Sequence, residues 1–225
     1  VVAPAGCGKT QLINSALVKH DSPKPILILT HTNAGVAALR GRLNKSGVKS
    51  SSYRLATIDG WAIRLISTFP QQAGHNPEII ENQTPNYYEI RKAALSLLKA
   101  GHINDILRAS YARLIVDEYQ DCSIQQHSIV GCASSILPTC VLGDPMQAIF
   151  GFDKKDPLAD WRKHVCGHFV NAGELNRPWR WINSGAESLG EWLINVRQRI
   201  LADQDIDLRT APESVARPGE PLPWT

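Results

Sequence analysis

Short runs of uninterrupted aliphatic residues alternate along the chain with longer stretches in which apolar side chains recur every three or four positions. The first pattern suits strands buried on both faces and the second suits amphipathic helices, so their alternation predicts a parallel sheet covered by helices on both sides. PILILT (Pro25 to Thr30), RLIVDE (Arg113 to Glu118) and TCVLGD (Thr139 to Asp144) read as three such strands, and YRLAT (Tyr53 to Thr57) as a weaker fourth. Helices are predicted over Asn33 to Leu43, from about Asp59 to Phe69, over NYYEIRKAALSLLKAG with Gly101 just past its end, over Ser123 to Ile136, and as one long element from Trp181 to Leu201. Pro70 to Pro85 reads as loop. After Asp203 the chain turns Asp- and Pro-rich, ending RPGEPLPWT, which predicts a linker over 203–225.

At 225 residues and 43% hydrophobic, the chain can bury its own core. No apolar run approaches the roughly 18 residues of a spanning helix, and residues 1–20 lack the basic and apolar regions of a signal peptide. The expectation is a protein without a membrane, in the cytoplasm. Met146 is the only methionine, so the chain is expected to be a fragment or a processed form. Cys7, Cys122, Cys132, Cys140 and Cys166 form an odd set without a CxxC pair, which predicts free thiols in a reducing compartment. His164, Cys166 and His168 are close in sequence, but with no carboxylate or second cysteine pair beside them the expectation is an ordinary surface or packing cluster and not a metal site. The net charge is only +3, yet no Asp or Glu falls between Ser22 and Ile58, where Lys24, Arg40, Arg42, Lys45, Lys49 and Arg54 lie. A solvated helix face or a phosphate track would each account for that stripe.

VVAPAGCGKT brings in specific chemistry. A P-loop wraps backbone N–H groups round a phosphate, uses Lys as a point charge, places a Ser or Thr hydroxyl on magnesium and opens a helix. Gly6, Gly8, Lys9 and Thr10 fit, although Ala3 stands where the strict pattern has Gly. Such a site needs a second strand ending in a carboxylate for the metal, with another carboxylate for the attacking water. In LIVDEYQD, Asp117 and Glu118 follow a buried strand, at the end where open α/β sheets bind ligands. VLGDPMQAIFGF repeats the form: strand, Asp144, then Gln147 as a neutral phosphate sensor, with Phe150 and Phe152 in a polar loop where they must pack or stack.

Together these stretches resemble the first RecA-like domain of the UvrD/Rep family of superfamily 1 helicases. APAGCGKT resembles motif I, in which a leading Ala is usual, LTHTNAGVAALRGRL motif Ia, ATIDGWAIRLI motif Ib, LIVDEYQD the DExQD form of motif II, VLGDPMQAIFGF motif III and LNRPWRW motif IV. Six motifs in family order cover roughly residues 1–181. The resemblance implies an α/β RecA-like P-loop NTPase domain over 1–202, with a parallel sheet and a short helical insertion at about 64–112, followed by the linker toward a second RecA-like domain. It implies ATP and Mg2+ as cofactors. Ala5, Gly6, Cys7, Gly8, Lys9 and Thr10 would cradle the phosphates, Thr10 and Asp117 would hold the metal, and Glu118 would be the catalytic base. Gln120 and Gln147 would link the γ-phosphate to the DNA-facing surface, Trp179 would lie beside the adenine, and Arg180 would stabilise the transferring phosphoryl group.

For single-stranded DNA, or a duplex with a single-stranded tail, the resemblance implies contacts from Thr32, Asn33, Trp61 and Phe152. Here the chain departs from the family: His31 replaces Phe, Ala34 replaces Lys, Asp59 stands at the usual His of motif Ib, and Asp153 at a position that is commonly Arg. The implied activity is ATP-driven 3′ to 5′ translocation or unwinding in repair, recombination or defence. Two other readings stand beside it: the helicase subunit of a nuclease complex, and a nucleotide-gated DNA-binding switch.

Overall fold

The computed structural model describes residues 1–81, 84–148 and 155–212. Two compact units form, one from Val1–Val2 with Thr10–Gly173 and the other from Ala3–Lys9 with the chain from Glu174 onward.

In the first unit, strands β1 (Ile26–Thr30), β2 (Tyr53–Thr57), β3 (Arg113–Val116) and β4 (Thr139–Val141) form a sheet of order β2-β1-β3-β4. Every pairing is parallel, with Ile28 opposite both Leu55 and Ile115, and Ile115 opposite Cys140. Val2 adds a parallel bridge to Gly143. Parallel neighbours require crossovers. Helix α1 (Lys9–Val18) precedes β1, and α2 (Asn33–Lys45) joins β1 to β2. Between β2 and β3 run α3 (Ile58–Thr68), α4 (Pro70–Ala73), α5 (Glu78–Glu81), α6 (Tyr87–Ala100) and α7 (Asn104–Ser110). Helix α8 (Ile124–Ser134) joins β3 to β4, and a π-turn at Trp161–Val165 leads into the single turn α9 (Cys166–His168).

The two-residue period of the strands builds two cores. Leu27, Leu29, Leu114 and Val116 pack with Trp61, Leu65, Ile90, Leu97 and Ile129 from α3, α6 and α8. Ile26, Ile28 and Ile115 face the other way, onto Ile13, Leu17, Leu39 and Leu43. Each fully buried aliphatic side chain stabilises by about 1.5–3 kcal/mol. Helix starts are set by side-chain caps: Thr32 accepts from Gly35 N, Thr57 from Gly60 N, and Ser123 with Gln126 forms a reciprocal capping box.

Two elements differ from the sequence expectation. The stretch expected to be loop holds α4 and α5. Pro70 sits at the start of α4, where its fixed φ favours helix, and Ile79 and Ile80 of α5 pack against the core cluster, which holds a turn too short to persist alone. The expected long helix is two, α10 (Trp179–Ile182) and α11 (Glu187–Leu201), because Gly185 has φ 74° and turns the chain out of the helical path. Within 64–112 the described residues include α4 to α7, and α6 shares the core of the strands. Past 203, Leu208–Thr210 forms a 3-10 turn tied back to α11 by a 3.1 Å bond from Trp192 Nε1 to Thr210 Oγ1. Among the described residues no helix is long and apolar enough to cross a membrane.

Candidate functional site

The carboxyl ends of the strands carry the acids. Beyond β3, Asp117 N donates to Leu29 O at 2.8 Å, which continues the ladder one residue past the strand. Asp117 is almost buried, and its Oδ1 accepts from Glu118 N at 3.0 Å. Glu118 has φ 53° and ψ 44°, one of two non-glycine residues with positive φ among those described. That conformation costs about 1–2 kcal/mol, and such strain persists where the surroundings impose it, often at functional sites.

From Glu118 a hydrogen-bonded relay runs to the end of β4. Gln120 Nε2 donates to Glu118 Oε2 at 3.0 Å and to Asp121 Oδ2 at 3.3 Å, while Gln120 Oε1 accepts from Asp144 N at 3.0 Å. Asp144 Oδ2 in turn accepts from Gln147 Nε2 at 2.9 Å. Gln120 and Asp144 are buried, so geometry and not solvent sets these bonds. The structure therefore brings Glu118, Gln120 and Gln147 into one network. Behind it, burial, with Cys122 adding to it, pushes the Tyr119 phenol far above its ordinary value, and burial followed by Asp121 does the same to the Cys122 thiol. Neither adds a negative charge near the carboxylates at neutral pH.

Thr10 Oγ1 accepts from Arg42 Nη1 at 2.8 Å. Arg42 sits on the hydroxyl expected to meet magnesium, and in the sequence it is only one cation of the acid-free stripe; its spacing from Thr10 carries no signal. A hydroxyl and a carboxylate are hard oxygen donors of the kind Mg2+ takes, so Thr10 and Asp117 fit that ion. Among the described residues no group of three His, Cys, Asp or Glu is arranged to hold a metal. His164 Nδ1 accepts from Asp160 N and His168 Nε2 meets Ser134 Oγ, both at 2.9 Å, while Cys166 is exposed.

In the second unit the loop Ala3–Lys9, expected to hold phosphate, lies against the turn α10. Arg180 N donates to Gly6 O at 3.0 Å, and a Cβ on Gly6, whose φ is 72°, would stand 2.6 Å from Trp181 Cζ3. Both conformation and space require glycine there. Trp179 is partly exposed, with the Arg177 guanidinium 4.0 Å from its ring centroid and its Cδ1 3.1 Å from a Cβ built on Gly8. The Arg180 guanidinium lies 5.7 Å from the Trp181 ring.

Along the edge strand β2 runs a groove of about 600 Å³ between α2 and α3, lined by Asn33, Arg40, Arg54, Thr57, Trp61 and Arg64 among others. Two of its arginines belong to the acid-free stripe, while Arg64 follows Asp59, the acid that ends it, and so carries no signal in the charge pattern. Thr32 caps α2, and Asn33 begins that helix at the groove's rim. Trp61, expected to contact DNA, is only 2% exposed and belongs to the core cluster; its indole Nε1 has no acceptor among the described residues. A ring buried to that degree offers no open face to a base and acts as the groove's floor. Phe152, with Phe150 and Asp153, lies outside the described residues. Asp59, the departure in motif Ib, does not line this groove: both its oxygens accept from Arg91 at 2.7 Å.

The ATP-dependent helicase/nuclease subunits A of Lacticaseibacillus casei and Lacticaseibacillus paracasei are each 35% identical over 80 residues, which is 32% of this chain and 6% of the length of each relative. The profile of the UvrD/REP helicase N-terminal domain matches residues 1–100 and 78–158. With an all-parallel α/β sheet, carboxylates at its strand ends and that match over more than half its length, the chain belongs to the UvrD/REP helicase N-terminal domain family.

Proposed function

We propose that this chain is the ATP-binding part of a motor that hydrolyses ATP to move 3′ to 5′ along single-stranded DNA in the cytoplasm. The observation that carries the reading is the relay from Glu118 through Gln120 and Asp144 to Gln147, because it ties a strained carboxylate at the end of β3 to a glutamine just past the end of β4. In this reading Lys9 and the backbone of Ala5 to Thr10 hold the ATP phosphates, and Trp179 lies by the base. Thr10 and Asp117 hold Mg2+, which when bound neutralises phosphate charge. Glu118 takes the proton of the attacking water, Gln120 and Gln147 orient it and report the γ-phosphate, and Arg180 meets the charge that develops on the transferring group. Arginines 40, 54 and 64 supply sequence-independent phosphate contacts along the groove.

A binding switch would have no use for Glu118 in its strained position. In the full-length protein, Glu118→Gln is expected to keep MgATP binding and lower DNA-stimulated hydrolysis by about 10²- to 10⁴-fold, the usual contribution of a general base. Unchanged turnover would remove Glu118 from that role, and a wild type indifferent to oligo(dT) would refute the motor.

A second reading, favoured by the 35% identity to helicase/nuclease subunits A, makes the motor one subunit of a nuclease complex in repair or defence. Purification from the native host with a nuclease that degrades linear duplex only in the presence of ATP would support it; recovery of a lone motor would count against it.

A further inference from the structure

Asp59, Arg91, Gln126 and Asp156 come from four separate stretches of the chain and meet in one partly buried network. Arg91 of α6 makes a two-pronged pair with Asp59 at the start of α3, Nε to Oδ1 and Nη2 to Oδ2, both 2.7 Å. Its remaining terminal nitrogen, Nη1, reaches Asp156 Oδ2 at 3.0 Å. The side chains of Arg91 and Asp59 are 15% and 17% exposed and that of Asp156 only 2%. Burial works against the Arg91 charge, but Asp59 and then Asp156 outweigh it, so the guanidinium remains charged.

The network reaches the catalytic strand by two routes. Gln126 Nε2 donates to Asp59 Oδ2 at 3.1 Å, while its Oε1 accepts from Ser123 N at 3.1 Å within the box that caps α8. Asp156 Oδ1 accepts from Gln125 N at 3.0 Å, and the segment holding Asp156 pairs with the start of α8: Ile124 N donates to Pro157 O and Ala159 N to Cys122 O, both 2.9 Å. Cys122 and Ser123 directly follow the DEYQD carboxylates. One guanidinium thus joins α3, which borders the groove, the chain that leaves the Gln147 segment, and the turn that carries Glu118 and Gln120.

We propose that Arg91 is a positioning residue through which occupancy of the groove reaches the hydrolytic carboxylate. This rests on the motor reading above. A planar fork that satisfies two carboxylates at once admits few arrangements, so a shift of α3 must be taken up at Asp156 and Gln126. Asp59 belongs to this coupling and is not a contact to nucleic acid, which accounts for an acid beside a phosphate-binding groove.

The experiment measures ATP turnover of the full-length protein against oligo(dT) concentration for wild type, Arg91→Gln, Arg91→Lys, Gln126→Leu and the Arg91→Gln/Gln126→Leu double variant, each checked by thermal melting. Arg91→Gln is expected to lower maximal DNA-stimulated turnover on the order of tenfold, within the span of ordinary intersite couplings. The turnover without DNA and the KM for ATP should hold. Arg91→Lys, which keeps the charge but not the fork, should fall between, and the double variant should lose no more than the worse single. Equal loss of basal and stimulated turnover, or a lower melting temperature with stimulation intact, would make the network a structural staple only and overturn the proposal. Stimulation in wild type with no change in any variant would overturn it while leaving the motor reading standing. A wild type that DNA does not stimulate would overturn both.

Discussion

Adding one methyl group to Gly143 should uncouple the end of β4 from the Glu118 carboxylate. The residue is buried, and a Cβ built on it would lie 2.8 Å from Trp161 Cζ3 and 2.9 Å from Gln120 Oε1. Both distances are shorter than packed atoms tolerate. The indole packs against the core cluster, and the crowded Gln120 amide is the group expected to yield. Its movement breaks the bond from Asp144 N and loosens the one to Glu118. Overpacking a close-fitted site costs about 1–3 kcal/mol, and a lost buried hydrogen bond adds about 1 kcal/mol. Gly143→Ala should therefore destabilise by about 2–4 kcal/mol. At roughly 2–4 °C per kcal/mol for a unit of this size, the melting temperature falls by on the order of 10 °C. Scanning calorimetry of the full-length protein would read the shift. Steady-state ATPase with and without oligo(dT) would read the uncoupling, expected as reduced stimulated turnover with nucleotide affinity kept. Gly41→Ala is the control: Gly41 lies within α2 with nothing near its Cβ position, so alanine there should stabilise by about 0.5–1 kcal/mol. A Gly143→Ala protein that melts and turns over like wild type would refute the view that this close contact holds Gln120 in place.

Two further outcomes follow from the surroundings of the same strand end. Burial first, and then His168 and His164, hold His127 below its ordinary value of 6.5. The unfolded chain therefore takes up a proton that the folded one resists, and stability should fall as pH drops through about 6.5. His127→Gln should flatten the dependence of melting temperature on pH between about 7.5 and 5.5, and parallel slopes for the two proteins would show that His127 is not its source. Ser123→Ala removes one half of the capping box on α8 and should cost about 0.5–2 kcal/mol by denaturant titration; an unchanged midpoint would show that Gln126 alone secures that helix start.

Much of the architecture was legible in the chain because it depends on neighbours a few residues apart. Uninterrupted aliphatic runs marked strands buried on both faces, and the two-residue period within them set which side chains face α1 and α2 and which face α3, α6 and α8. The acids after LIV and the Gly-Asp after VL marked the strand ends where the relay lies. Local pattern failed where a turn depends on distant support. Four-residue helices such as α5 exist only because Ile79 and Ile80 meet a core built elsewhere, and Gly185 interrupts a stretch whose apolar spacing reads as continuous.

What the sequence by itself determined is the set of chemical groups and the strand ends that carry them, since both follow from composition and short-range periodicity. Only the tertiary structure decided what those groups do to one another. Trp61 looked like an aromatic available to nucleic acid and is the floor of a groove, because burial depends on which helices pack around it. Asp59 looked like a misplaced acid and is one end of an ion pair with Arg91, 32 residues away, completed by Asp156, 65 residues beyond that arginine. Arg42 meets Thr10 across a comparable separation. Such contacts leave no trace in spacing, because the distance between two side chains is set by the path of the backbone between them.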